Sequence, residues 1–148
     1  MRELRVLDNN HLEEMKLFFK DVFTKEPWND DWSDEEQLHM YITELTGNKN
    51  SLALGLFEEN ELVGLAMGMV WHWYTGTQYN IQELCIKTEA QGKGFGTYFL
   101  KQIEKYLLEN NIRCIFLQTE HNVPAYQFYK KNGFTELVGH VSFVKEIE

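Results

Sequence analysis

The sequence predicts a mixed α/β domain in which helices cover a mixed sheet, and three observations lead there. Apolar residues recur at three- and four-residue spacing in several stretches, and short β-compatible runs lie between those stretches. Two such runs are joined only by the polar connection Glu58-Glu-Asn-Glu61, a hairpin length, and a hairpin beside helical crossovers argues against a purely parallel sheet.

Residues 4–7 predict a short first strand, after which Leu12, Met15, Phe19 and Val22 line one face of an amphipathic helix ending before Pro27. Ser33-Asp-Glu-Glu36 has the form of a capping box with Ser33 at the cap, opening a second helix whose apolar face runs through Leu38, Ile42 and Leu45 to Gly47. Residues 51–57 and 62–71 are predicted to pair as an antiparallel hairpin, with residues 79–86 as a further strand. Phe95, Phe99, Ile103 and Leu107 then mark a third helix. Residues 114–117 predict another strand. Asn122 is expected to cap a fourth helix that has Pro124 in its first turn and stops at Asn132-Gly133, and residues 134–138 and 141–147 are expected to complete the sheet as two terminal strands.

The length of 148 residues fits one domain spanning 1–148. A net charge of -9 sets the surface against phosphate backbones, which excludes nucleic acid as the expected partner, and tilts it toward cationic ligands. No apolar run approaches the roughly 20 residues of a membrane span, and MRELRVLDNN lacks the apolar core of a secretion signal, so no membrane partner and a cytoplasmic location are expected. Cys85 and Cys114 both sit in apolar runs and are expected to be buried free thiols; no metal-ligand spacing is present.

The stretch Gln91-Gly-Lys-Gly-Phe-Gly-Thr97 lies at a strand-to-helix turn. A dinucleotide turn would need a third glycine where Thr97 stands, and it would come early in the chain. A Walker A loop would need Ser or Thr after Lys93, where Gly94 stands. Two readings remain from the residues alone: a tight connection, or a pyrophosphate held by backbone N–H groups at a helix start.

Gln91-x-x-Gly94-x-Gly96 after a strand, followed by Asn122-x-x-Ala125-x-x-x-Tyr129 and Asn132-Gly-Phe134, resembles the GNAT superfamily of acetyl-CoA-dependent N-acetyltransferases. The resemblance is densest over residues 83–134. It implies a central mixed, mostly antiparallel sheet flanked by about four helices. It also implies acetyl-CoA as the acetyl donor, with its pyrophosphate at Gln91, Gly92, Lys93, Gly94, Phe95, Gly96 and Thr97. The pantetheine arm would lie along Leu84, Cys85 and Ile86, and Asn122 and Tyr129 would make further cofactor contacts.

The family's usual chemistry is direct attack by a primary amine, which must lose a proton because a lysine-like amine is mostly charged at neutral pH. Glu83 matches the acidic position that serves as base, directly or through water, and Tyr129 matches the tyrosine that protonates the leaving thiolate. Gln118 departs from the pattern of relatives with an acid there, which moves the basic role toward Glu83. Cys85, with no His beside it in sequence, is read as a packed strand residue and not as a nucleophile. Trp28, Trp71, Trp73 and Tyr74 would border the acceptor cleft, where aromatic faces and carboxylates suit a small cationic molecule or a peptide amine; Trp71 and Trp73 packing under a helix is the competing reading. Family members often dimerise, so a homodimer is an expected state. The alternative function is a catalytically weak acyl-CoA-binding sensor or scaffold of the same fold.

Overall fold

A computed structural model describes residues 1–148, which form two compact units, residues 1–118 and residues 119–148. The first contains β1 (Arg2–Leu7), α1 (Leu12–Phe23), α2 (Glu35–Thr46), β2 (Ser51–Glu58), β3 (Glu61–Trp73), β4 (Gly76–Ile86), α3 (Phe95–Glu109) and β5 (Ile115–Leu117). The strands lie side by side in chain order, antiparallel from β1 to β4, and β5 joins parallel to β4. The second unit holds α4 (Pro124–Lys131). No helix is long and apolar enough to cross a membrane.

Two apolar layers hold the sheet, one on each face. Met15 and Phe19 of α1 and Leu38 and Ile42 of α2 bury against Leu65, Met67 and Cys85. On the other face Phe99, Ile103 and Leu107 of α3 bury against Leu54, Leu56, Tyr79 and Ile81. Tyr79 is fully buried and keeps its hydroxyl satisfied by donating to the Leu52 carbonyl at 2.8 Å.

The cap of α2 falls on Asp34 and not on the expected Ser33: the Asp34 carboxylate accepts from the Gln37 N–H at 3.1 Å, while the Ser33 N–H is already taken by the Asp31 side chain. The β2–β3 turn is made by Glu59 and Asn60 with φ of 49° and 67°, the left-handed pair that a two-residue hairpin turn requires. Both hairpin strands run further than expected, so β3 ends at Trp73 and faces Gly76 across a second tight turn.

In the second unit the residue capping α4 is Val123, with no side-chain cap, so Asn122 lies one position outside its expected role. Pro124 opens the helix as expected, and Gly133 takes a left-handed φ of 89° after it. The two terminal strands expected over 134–147 are not formed; the backbone bonds found there are turns, the Phe134 N–H donating to the Tyr129 carbonyl and the His140 N–H to the Leu137 carbonyl, each at 3.0 Å. β-branched and aromatic residues suit a strand, but a strand exists only through a ladder partner, which composition does not supply. Cys85 is buried as expected, whereas Cys114 is exposed because β5 begins only at Ile115.

Candidate active site

β5 pairs with β4 only at Tyr79, Asn80 and Ile81. Beyond Ile81 that edge of β4 has no strand beside it. The same point carries a bulge: Met67 faces Glu83 and Gly68 faces Ile81, so Gln82 is an extra residue on β4. Tyr79 and Ile81 point into the α3 layer, and strict alternation would send Glu83 there too. The inserted residue reverses the parity, so Cys85 enters the α1/α2 layer and Glu83 meets Tyr41 of α2. Gly68 permits this closure, since a Cβ at that position would stand 2.0 Å from the Asn80 carbonyl oxygen.

Backbone directions along the open edge follow from one bond. The Lys87 N–H donates to the Val63 carbonyl at 2.9 Å, which makes Lys87 and Val63 a hydrogen-bonded pair. By alternation Cys85 and Glu83 also turn their backbone groups to β3, and Leu84 and Ile86 turn theirs outward to the open edge. The outward Ile86 carbonyl is taken by the Gln91 amide at 2.9 Å, which ties the glycine turn to the end of β4.

That turn leads into α3 with Gly92 and Gly94 at φ of 76° and 84°, a region that L side chains rarely occupy. A Cβ at either position would meet nothing within 4 Å, so these glycines serve backbone conformation and leave clear space in front of the turn. The N–H groups of Gly92, Lys93 and Gly94 make no backbone hydrogen bond, and those at the start of α3 are without intrahelical partners. Such donors at the positive end of a helix are suited to a phosphate. Phe95 is held beneath the Arg2 guanidinium, 4.3 Å from its ring centre, and Phe99 is fully buried, so the helix start is anchored.

Glu83 is partly buried, and that burial pushes its carboxyl above the ordinary carboxylate range. Its Oε2 accepts from the Tyr41 hydroxyl at 2.5 Å, which opposes the rise, while the Asp30 charge reinforces it. Tyr41 is stacked on Trp32, with ring centres 5.4 Å apart and planes 15° apart, and Trp32 packs edge-on against Phe19 at 5.2 Å. Tyr41, Trp32 and Asp30 were not among the residues expected from the sequence. Trp32 stands four residues after Trp28, but nothing local links Trp32 to the sheet, or Tyr41 to Glu83, 42 residues further on.

Cys85 is buried, and burial with the Glu83 charge pushes its thiol far upward, away from the thiolate a nucleophile needs. Trp28 is half-buried against Phe23, ring centres 5.5 Å apart. Trp71, Trp73 and Tyr74 sit at the far end of β3, 49%, 54% and 88% exposed, so no helix covers them. Trp71 lies four residues along β3 from the Glu83 partner Met67, about 13 Å away at strand spacing, on the same face by alternation. In the second unit Tyr129 is half-buried on α4 against the edges of Phe128 and Phe134, at 5.4 and 5.2 Å, and Asn122 is exposed ahead of that helix. No group of three or more His, Cys, Asp or Glu side chains comes together as a metal site.

A model of the acetyltransferase (GNAT) family matches residues 12–134, reaching into both units. An uncharacterized N-acetyltransferase, YhfO, of Bacillus subtilis (strain 168) is 27% identical over 116 residues, 75% of this chain and 76% of its own. Among solved structures, a possible acetyltransferase from Clostridium difficile 630 superposes with a TM-score of 0.82 at 18% identity, covering 100% of this chain and 99% of that one. The aminoglycoside acetyltransferase meta-AAC0020 from an uncultured soil metagenomic sample, in complex with sisomicin, gives 0.75 at 22% identity, covering 99% and 97%. The chain belongs to the GNAT family of acetyltransferases.

Proposed function

We propose that residues 1–148 work as one N-acetyltransferase domain that moves the acetyl group of acetyl-CoA to a primary amine of a small cationic molecule or peptide. The observation that carries this reading is the parting of β5 from β4 beyond Ile81, with Glu83 on one side of the open edge and the glycine turn at its end. The clear space and free N–H groups at Gly92 and Gly94 fit a pyrophosphate. The outward backbone groups of Leu84 and the outward Ile86 N–H fit the amides of a pantetheine arm.

When bound, acetyl-CoA supplies an acetyl thioester. Glu83, ionised, takes the proton that the amine gives up as its nitrogen bonds to the acetyl carbon. A backbone N–H at the open edge of β4 stabilises charge that develops on the acetyl oxygen. The Tyr129 hydroxyl returns a proton to sulfur as the carbon–sulfur bond breaks, leaving an amide and the free thiol. Trp28, Trp71, Trp73 and Tyr74, with the acidic surface, favour a cationic acceptor. The aminoglycoside acetyltransferase among the structural neighbours is consistent with an amine of that kind.

The test is thiol release from acetyl-CoA across polyamines, aminoglycosides and peptide amino termini. Turnover with any of these supports the enzyme. Thermal stabilisation by acetyl-CoA with no turnover across the panel points instead to an acyl-CoA-binding sensor.

A further inference from the structure

We propose that Tyr41 is a positioning residue for Glu83: its hydroxyl occupies Oε2 and so presents Oε1 as the one carboxylate oxygen open to an incoming amine or water. The proposal rests on the reading of Glu83 as proton acceptor. A glutamate side chain free to rotate would lose the aligned geometry that proton transfer requires, and a carboxylate bonded at one oxygen by a fixed donor does not rotate freely. The donor is fixed by three elements. Tyr41 comes from α2, Trp32 from the segment before it stacks on the ring, and Phe19 of α1 lies 5.8 Å from it.

Tyr41 stays a donor throughout the working range, since burial and the Glu83 charge both push its hydroxyl far above neutrality. Three other groups bear on the pair. Asp30, from the segment joining α1 and α2, raises Glu83; Cys85, two positions along β4, is neutral; and the Gln82 amide at the bulge acts on the Tyr41 hydroxyl in the opposite sense to Glu83. The arrangement therefore sets two opposed influences on one carboxylate, burial raising it and Tyr41 lowering it.

The experiment follows the Glu83 carboxyl carbon by NMR titration in wild type and Tyr41→Phe, a change that keeps the ring and its stacking and removes the hydroxyl. Glu83 titrates at higher pH in the variant, and the acid limb of kcat/KM for the amine moves the same way, with a loss of about tenfold at the acid end and unchanged KM for acetyl-CoA. Trp32→Leu, which loosens the ring and leaves the hydroxyl, gives a smaller shift in the same direction. An unchanged Glu83 titration in Tyr41→Phe overturns the proposal. If the titration moves and the kinetic limb does not, Tyr41 governs the carboxylate as proposed, and what fails is the assignment of Glu83 as the base.

Discussion

The proposed donor end and the proposed acceptor end of the open β4 edge are built on different principles. At the glycine turn the groups proposed to hold the cofactor are backbone N–H donors, and the sequence shows them through what it omits: side chains at positions 92 and 94, where φ is positive. At Glu83 the proposed base is a side chain whose direction depends on an inserted residue, a glycine on the neighbouring strand and a tyrosine on a helix. The donor end therefore tolerates changes in side chains but not in backbone conformation, and the acceptor end is sensitive to both.

The contrast can be tested by breaking each end in turn. Glu83→Gln should lower kcat by about 10²- to 10⁴-fold with little change in acetyl-CoA affinity, as a positioned base contributes that much. It should also stabilise the fold near pH 7. Burial raises the Glu83 carboxyl, so its contribution to stability is full below the unfolded carboxylate range and is lost as pH rises through the folded value. The glutamine variant avoids that loss, and a gain on the order of 1 kcal/mol in thermal or denaturant unfolding is expected.

Gly94→Val places a β-branched residue at a φ of 84° and should weaken acetyl-CoA binding by about 100-fold, read by calorimetry, while the acceptor KM changes little. Gly68→Ala should act on the acceptor end without touching either substrate. Its Cβ collides with the Asn80 carbonyl, so the bulge must open, at a cost of roughly 1–3 kcal/mol in unfolding free energy together with a loss of kcat. The smallest effect is expected from Tyr129→Phe, about tenfold in kcat with unchanged cofactor affinity. If this variant is instead most damaging to acetyl-CoA binding, its hydroxyl holds the cofactor and does not return the proton.

These two ends were also unequally legible. The third helix is announced by Phe95, Phe99, Ile103 and Leu107, and α3 forms over Phe95–Glu109. The turn before it could be placed because glycine has few other reasons to recur at that spacing. The Gln82 bulge left no comparable mark, since a one-residue insertion is defined by the register of the neighbouring strand. Gly68 carries no mark of its role in the sequence for the same reason: its contact with Asn80 is between strands. Tyr41 lies beside Ile42 on an amphipathic helix, where an aromatic residue reads as core, and only the folded sheet brings Glu83 to it. Residues 134–147 err in the other direction, with strand composition and no strand in the unit that contains them.

The central claim is that the β4 bulge delivers Glu83 as the base of acetyl transfer. The pH dependence of kcat/KM for the best acceptor amine, compared between wild type and Glu83→Gln, tests it most directly. Wild type should show an acid limb with its midpoint above the ordinary carboxylate range, and that limb should be missing from the residual activity of the variant. An identical acid limb in both proteins would contradict the account.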